Sequence, residues 1–323
     1  METTIRIAAT IGALAALVVA AIALVVRYVP ITSQVALIIA VASPYLLLGA
    51  PVGALLSLLA RRWALAGVAA VLTAALVAVQ GPLFIGERAG NDGVALRVMS
   101  ANLYYGQADA ATLVRTASAR ADVLAVQELT HEEVERLSAA GLDKVFPHRA
   151  LDARDLASGV GLWSRYPITT SARIDGFELP MMSARIRVEG VVTDPTILVA
   201  HMSGPWPQPI DDWVRDMDAM PETMRQASSS VGAGCVLVAG DFNSTFDMLP
   251  FRRLLNDGYR DATEQSGAGL QLTYQANTKA PPYMGIDHVL TNRCTATSAA
   301  TVALPGSDHK GLVAAVDVPR SAG

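Results

Sequence analysis

Up to residue 86 this chain of 323 residues carries only five charged side chains: Glu2, Arg6, Arg27, Arg61 and Arg62. Between them lie three apolar stretches, residues 7–26, 35–60 and 63 to about 84. A helix needs about 20 apolar residues to cross the hydrocarbon core of a bilayer, and these stretches lack the polar face that a buried helix of an aqueous core would show. The first is longer than the apolar region of a cleaved leader and two more follow it, so it reads as part of an anchor. Pro44 and Pro51 predict a kink in the second, which membrane helices tolerate. Residues 1–85 are therefore expected to form three transmembrane helices. The Arg61–Arg62 pair and Arg6 should stay cytoplasmic, leaving Arg27 alone in the opposite loop. That orientation makes the chain a multi-pass protein of the cell (plasma) membrane with everything after residue 86 extracytoplasmic.

After a short linker, residues 86–93, the composition becomes that of an aqueous domain spanning 94–323. Residues 87–323, linker included, hold 28 acidic and 21 basic side chains, a formal charge of −7. Nucleic-acid binders usually show a basic footprint, so a polyanion is the disfavoured partner. About 230 residues suffice for one domain with a substantial core. Strands are expected at 94–100, 123–126, 159–163, 183–188, 196–200, 236–239 and 287–291, and helices at 109–120 and 131–139. The Pro- and Trp-rich stretch 202–221 reads as a long loop. Strand-rich segments with a few interspersed helices favour an α+β layered sandwich over a doubly wound parallel sheet.

Several of the apolar runs end in polar groups. VMSAN ends at Asn102, VLAVQE at Glu128 and ILVAH at His201. VLVAGDFN carries Asp241 and Asn243, SDH carries Asp308 and His309, and GIDHVL opens with Asp287 and His288. Strands of one sheet that stop at the same edge gather such residues into one cluster. Oxygen ligands beside imidazoles are what metal-assisted hydrolysis of a phosphate ester requires. His288 reads as strand packing rather than chemistry, and His131 and His148 as structural. Arg165 and Tyr166 either line a phosphate pocket or belong to a turn before Pro167. Cys235 and Cys294 fall near the opposite edge if their strands are antiparallel neighbours. A disulfide there would suit an exported domain, and two separate buried thiols are equally compatible with the spacing.

Asn102, Gln127–Glu128, the SRYPI of 164–168, the GDFN of 240–243, the IDHV of 286–289 and the SDH of 307–309 occur in an order that resembles the endonuclease/exonuclease/phosphatase family, whose fold is that of deoxyribonuclease I. The resemblance covers roughly residues 94–318. With its anchor, the chain further resembles glycopeptide-resistance-associated membrane proteins of actinobacteria. The resemblance implies a four-layer αββα sandwich and a phosphoesterase dependent on Mg²⁺, with Mn²⁺ as a substitute. It makes Glu128 the principal metal ligand, supported by Asn102 and Asp308. It places Asp241 and Asn243 beside the scissile phosphate and the attacking water. His309 becomes an acid/base with Asp287 on its other ring nitrogen, and His201 a second catalytic histidine. One departure is visible: where the family often has a second Asn or Asp, two residues beyond the first asparagine, this chain has Tyr104.

The expected substrate is a phosphorylated lipid or polyprenyl phosphate at the outer membrane face. The alternatives are an extracellular nuclease and a non-catalytic binding or resistance module on the same fold. Trp206 and Trp213, in the Pro-rich stretch after His201, either form a lip towards the membrane, where tryptophan favours the headgroup level, or pack into the domain's own core.

Overall fold

The structure is a computed structural model that describes residues 2–87 and 93–320. Most of the linker, 88–92, lies outside the described residues. By its internal contacts the chain divides into two units, residues 1–84 with 247–249, and residues 85–246 with 250–323.

The first unit contains α1 (Glu2–Val26), α2 (Gln34–Leu46), α3 (Gly49–Leu59) and α4 (Trp63–Gln80). Its outward surface is apolar, with Ile11, Val18, Val25, Leu55, Val71 and Val77 exposed. Helix α1 and the helical stretch Trp63–Phe84 are each long and apolar enough to cross a membrane. Helices α2 and α3 are bent by 57°, as a broken span or a re-entrant loop would be. The number of spans is therefore two, or three if the bent pair is one span. The break falls at Leu47–Leu48, after Pro44 inside α2 and before Pro51 in the first turn of α3. Pro51 fits there because the N–H that proline lacks has no helical acceptor in a first turn. Gly49 lets α3 lie close on α1, since a Cβ there would stand 2.5 Å from the Ala16 carbonyl oxygen.

The second unit has twelve described strands: β1 (Gly93–Asn102), β2 (Val123–Gln127), β3 (His148–Asp152), β4 (Val160–Ser164), β5 (Ile168–Ile174), β6 (Met181–Ile186), β7 (Thr196–His201), β8 (Val236–Asp241), β9 (Tyr259–Asp261), β10 (Asp287–Asn292), β11 (Thr295–Val302) and β12 (Gly311–Pro319). They form two six-stranded sheets, ordered β11-β12-β1-β2-β4-β3 and β5-β6-β7-β8-β10-β9. The helices are α5 (Ala110–Arg120), α6 (His131–Ala139), α7 (Leu142–Val145), α8 (Ile210–Ser230), α9 (Leu249–Arg253) and α10 (Ala262–Ser266).

The central strands are apolar on both faces, and the period of two separates their partners. In the first sheet Leu96, Val98, Val123 and Ala125 point inward onto Ile197, Val199, Leu237 and Ala239 of the second. Met99, Ala101, Leu124 and Val126 point outward onto Leu113, Val114 and Ala117 of α5, Leu137 of α6 and Leu142 of α7. This is the α+β two-sheet sandwich expected from sequence.

Two local readings change. The strand expected at 183–188 runs instead over Met181–Ile186, and the stretch 202–221 is a loop only as far as Pro209. Helix α8 then starts with Asp211 and Asp212 in its first turn and buries Trp213, Met217, Met220 and Met224. That spacing of four, three and four is a helical face. It outweighs Pro221, which sits inside the helix. Trp213 is thereby a core residue, its indole N–H donating to Ser244 Oγ at 3.2 Å, whereas Trp206 is exposed.

Register brings the polar strand ends together. In the parallel pairs β1/β2 and β7/β8, Asn102 stands opposite Gln127 and His201 opposite Asp241. In the antiparallel pair β8/β10, Asp241 stands opposite Asp287. Gly240 permits this at β8, since a Cβ there would fall 1.9 Å from the Ala200 carbonyl oxygen. At the other end of the same pair Val236 faces Asn292, and Cys235 and Cys294 form a disulfide with a Cα–Cα distance of 5.4 Å. The bridge decides between the two readings of the cysteines.

Candidate active site

At the edge where β1, β2, β7 and β8 end and β10 begins, the structure gathers Asn102, Glu128, His201, Asp241, Asp287 and His309, all buried. Asn102 holds the centre. Its Nδ2 donates to Glu128 Oε1 and to Asp241 Oδ2, both at 3.0 Å, and its Oδ1 accepts from the Tyr104 N–H at 2.9 Å. In this arrangement the side chain acts as a donor clamp between two carboxylates that join it from different sheets.

Glu128 and Asn243 have φ values of 56° and 47°, left-handed positions that non-glycine residues seldom take. Such strain concentrates at functional sites. It turns Glu128 so that its Oε2 accepts from the Tyr105 N–H at 2.7 Å. The Asn243 N–H donates to Asp241 Oδ1 at 2.8 Å, and its side-chain nitrogen donates to the Met202 carbonyl at 2.9 Å. Asp241 is thus held from both sides, one oxygen by Asn243 and the other by Asn102.

His309 Nδ1 lies 2.8 Å from Asp287 Oδ2, and its Nε2 lies 3.6 Å from Asp241 Oδ2. Burial opposes charge on this imidazole, but the carboxylates of Asp287 and Asp241 outweigh it and raise its pKa to about 10. Burial pushes the Asp241 pKa up, against the pull of His309. Burial also raises Asp308, to about 6; His309 opposes the rise and Glu128 adds to it. His201 Nε2 stands 4.0 Å from Glu128 Oε1 and 3.9 Å from Asp241 Oδ2, so Asp241 lies between two imidazoles.

The residues fit a divalent cation. The Oδ1 atoms of Asp308 and Asp287 are buried without a hydrogen-bond partner. Carboxylates crowded in this way, with Asp308 displaced upward by burial first and by Glu128 and Asp241 in addition, favour a cation among them. Ligand atoms of Asp241, Asp287 and His309 also lie within 4.8 Å of one another. In that trio, however, the Nδ1 of His309 is already engaged with Asp287, so the geometry is that of a hydrogen-bonded pair aimed at a carboxylate.

Some supporting groups are not among the expected site residues, although Ser307 opens the SDH motif. Ser307 Oγ donates to the Asn102 carbonyl at 2.8 Å and accepts from the His309 N–H at 2.9 Å, tying the 307–309 loop to β1. Thr273 Oγ1 accepts from the backbone of Ile286 and Asp287, and the Tyr274 ring lies 4.9 Å from that of His309. Other motif residues stay away from the edge. His288 bonds Asp261 at 2.8 Å and the Ser244 carbonyl at 2.9 Å. Arg165 donates to the carbonyls of Ala121 and Ser118 and lies over Phe146, at the opposite end of β4. It lines no phosphate pocket; the turn before Pro167 is the reading that holds.

The sequence of residues 99–309 matches the profile of the endonuclease/exonuclease/phosphatase family. The chain belongs to this family. No curated protein matches the sequence significantly. Among solved structures, the chain is similar to an endonuclease/exonuclease/phosphatase from Bacteroides vulgatus, at 15% identity and a TM-score of 0.55, covering 70% of this chain and 99% of that one. It is similar to a humanized D. rerio TDP2, at 18% identity and a TM-score of 0.57, covering 69% and 99%. It is also similar to the 3′ phosphatase NExo from Neisseria bound to a product DNA hairpin, at 18% identity and a TM-score of 0.53, covering 68% and 98%. At these identities the likeness is one of fold: the sandwich of the phosphoesterases and nucleases of the family.

Proposed function

We propose that the chain is a membrane-anchored, extracytoplasmic phosphoesterase that uses a divalent cation to hydrolyse a phosphate ester or diphosphate, most naturally of a lipid or polyprenyl carrier at the outer face of the membrane. The observation that carries the chemistry is the Asp287–His309 pair at 2.8 Å, its free ring nitrogen directed at Asp241.

Asp287 fixes the tautomer, leaving Nε2 of His309 as the atom that exchanges protons. Held in its charged form, His309 offers that N–H to a phosphoryl oxygen. Asp241 has one oxygen fixed by the Asn243 N–H and a pKa raised by burial, so it is placed to orient a water and take its proton. His201, facing Glu128 and Asp241, offers a second imidazole on the same side. Glu128 and Asp308, with Asn102 alongside, are the groups to hold Mg²⁺ or Mn²⁺. Such a cation neutralises charge on the phosphoryl oxygens when bound.

The lipid reading is supported by the apolar helices at the N-terminus, which deliver a membrane substrate in two dimensions, and by the −7 charge of the remainder. The Cys235–Cys294 disulfide supports an oxidising compartment, as the arginine distribution does. DNA in the comparison with the Neisseria phosphatase favours a nuclease as the second reading. Purified full-length protein, assayed with Mg²⁺ against polyprenyl phosphates, phospholipids and DNA, separates the two. Turnover of DNA alone would overturn the lipid reading, and turnover of nothing in the panel would favour a binding module.

A further inference from the structure

Among the described residues of the second unit, seven large hydrophobic side chains are left exposed: Ile85, Tyr105, Leu156, Val192, Trp206, Leu270 and Tyr283. Four of them sit on segments that emerge at the site edge. Tyr105 follows β1, Leu156 joins β3 to β4, Trp206 follows β7 and Tyr283 precedes β10. The β3–β4 connection belongs to that edge because Val160, where β4 starts, is in register with Gln127. Leu129 secures it, bonding Gly159 and Arg154 through the backbone. Val192, by contrast, lies in the connection between β6 and β7 at the other end of the sandwich.

Leu156 is 71% exposed and Trp206 is 66% exposed. Leu156 also has φ of 56°, a left-handed conformation that costs energy in a residue with a side chain. A strained backbone that holds an aliphatic side chain outward gains nothing from water. The same end of the sandwich carries Arg154 and Arg173, both anchored on the buried Asp152, at 2.8 Å and 2.7 Å. Exposed Trp, Tyr and Leu at the same end of the sandwich as Arg is the composition of a surface that meets lipid headgroups. The partner is at hand. This unit begins at Ile85, directly after a helical stretch ending at Phe84 that is long and apolar enough to cross a membrane.

We propose that the segments bearing Leu156 and Trp206 insert their side chains into the headgroup layer of the membrane that anchors the chain, with Arg154 and Arg173 meeting lipid phosphates, so that the site edge opens onto the bilayer surface. This inference deepens the lipid reading above and rests on it only for the purpose of the contact.

The test uses the full chain reconstituted in vesicles of phosphatidylcholine with a minor fraction of phosphatidylglycerol. The two native cysteines are bridged, so Leu156→Cys, Trp206→Cys and Val192→Cys each offer one thiol for an environment-sensitive fluorophore. Probes at 156 and 206 should shift their emission to the blue and lose most of their intensity to lipids spin-labelled near the headgroup. The probe at 192 should do neither. Probes at 156 and 206 that behave like the one at 192 overturn the inference. All three positions are exposed, so labelling leaves the core intact. Quenching at 156 and 206 without hydrolysis of any lipid phosphoester upholds the surface and sinks the substrate reading. Lipid hydrolysis without quenching does the reverse.

Discussion

The Cys235–Cys294 bridge closes a sequence separation of 59 residues between two strands at the end of the sandwich remote from the site. In the chain-entropy account, a loop of that length removes from the unfolded ensemble freedom equivalent to about 4 kcal/mol at 25 °C. For a unit of this size that corresponds to a fall in melting temperature of roughly 8–16 °C when the bridge is lost. The perturbation is the set Cys235→Ala, Cys294→Ala and the double variant. Any one of the three breaks the bridge, so the single variants should each lose most of the 4 kcal/mol and the double variant little more. Independent losses at the two positions would instead come closer to adding. Unfolding of the full chain in micelles can be followed in urea by tryptophan fluorescence, since Trp163 and Trp213 are both buried in this unit. Single variants that lose less than about 1 kcal/mol, or losses that add in the double variant, would refute the reasoning.

Phosphoesterase activity should vanish in EDTA and return with Mg²⁺ or Mn²⁺, and Glu128→Ala should mimic the chelator without unfolding the unit; a fully active variant in metal-free buffer would remove this carboxylate from the chemistry. Asp287→Asn should lower the turnover rate by roughly 10²-fold or more, as measured in steady-state kinetics beside an unchanged circular dichroism spectrum. The same variant tests the linkage: in wild type His309 is raised from 6.5 to about 10, so its contribution to stability is complete below the unfolded value and is lost as pH rises through the folded one. In EDTA, the urea midpoint of wild type should therefore decline between those pH values more steeply than that of Asp287→Asn. A reporter fused after Gly323 should be active only in its extracytoplasmic form, and one between Arg62 and Trp63 only in its cytoplasmic form; the reverse pattern would place the site in the cytoplasm.

The gathering of the site is legible in the sequence because the central strands are buried on both faces. Their apolar runs stop where the polar edge starts, so VLAVQE and VLVAGDFN announce both a strand and the group it delivers. What the sequence does not announce is which way each group is turned. Asn102 is readable as an oxygen donor to a metal, yet its amide nitrogen holds Glu128 and Asp241 while its oxygen takes the Tyr104 N–H. That orientation depends on a carboxylate 139 residues away. Ser307 bridges positions even further apart. The edge strand β5 and the Ala- and Thr-rich β11 are harder to see for a different reason. Their mixed exposure leaves no continuous apolar run, and pairing with β6 and β12 makes them strands.

Trp206 and Trp213 show how one sequence signal can divide. Both stand among prolines after His201, and composition alone assigns them the same fate. The difference is periodicity: Trp213 begins a row continued by Met217, Met220 and Met224, so a helix forms in spite of Pro221 and carries the indole inward. Trp206 precedes that row, in the stretch where Pro207 and Pro209 prevent a helix from starting earlier, and so has no amphipathic face to draw it into the core. An indole that cannot follow its helix inward has only solvent or another phase to face. In a chain whose preceding helices are apolar enough to cross a membrane, that residue is the one to test for contact with lipid, and Trp213 is the one whose loss should unfold the unit.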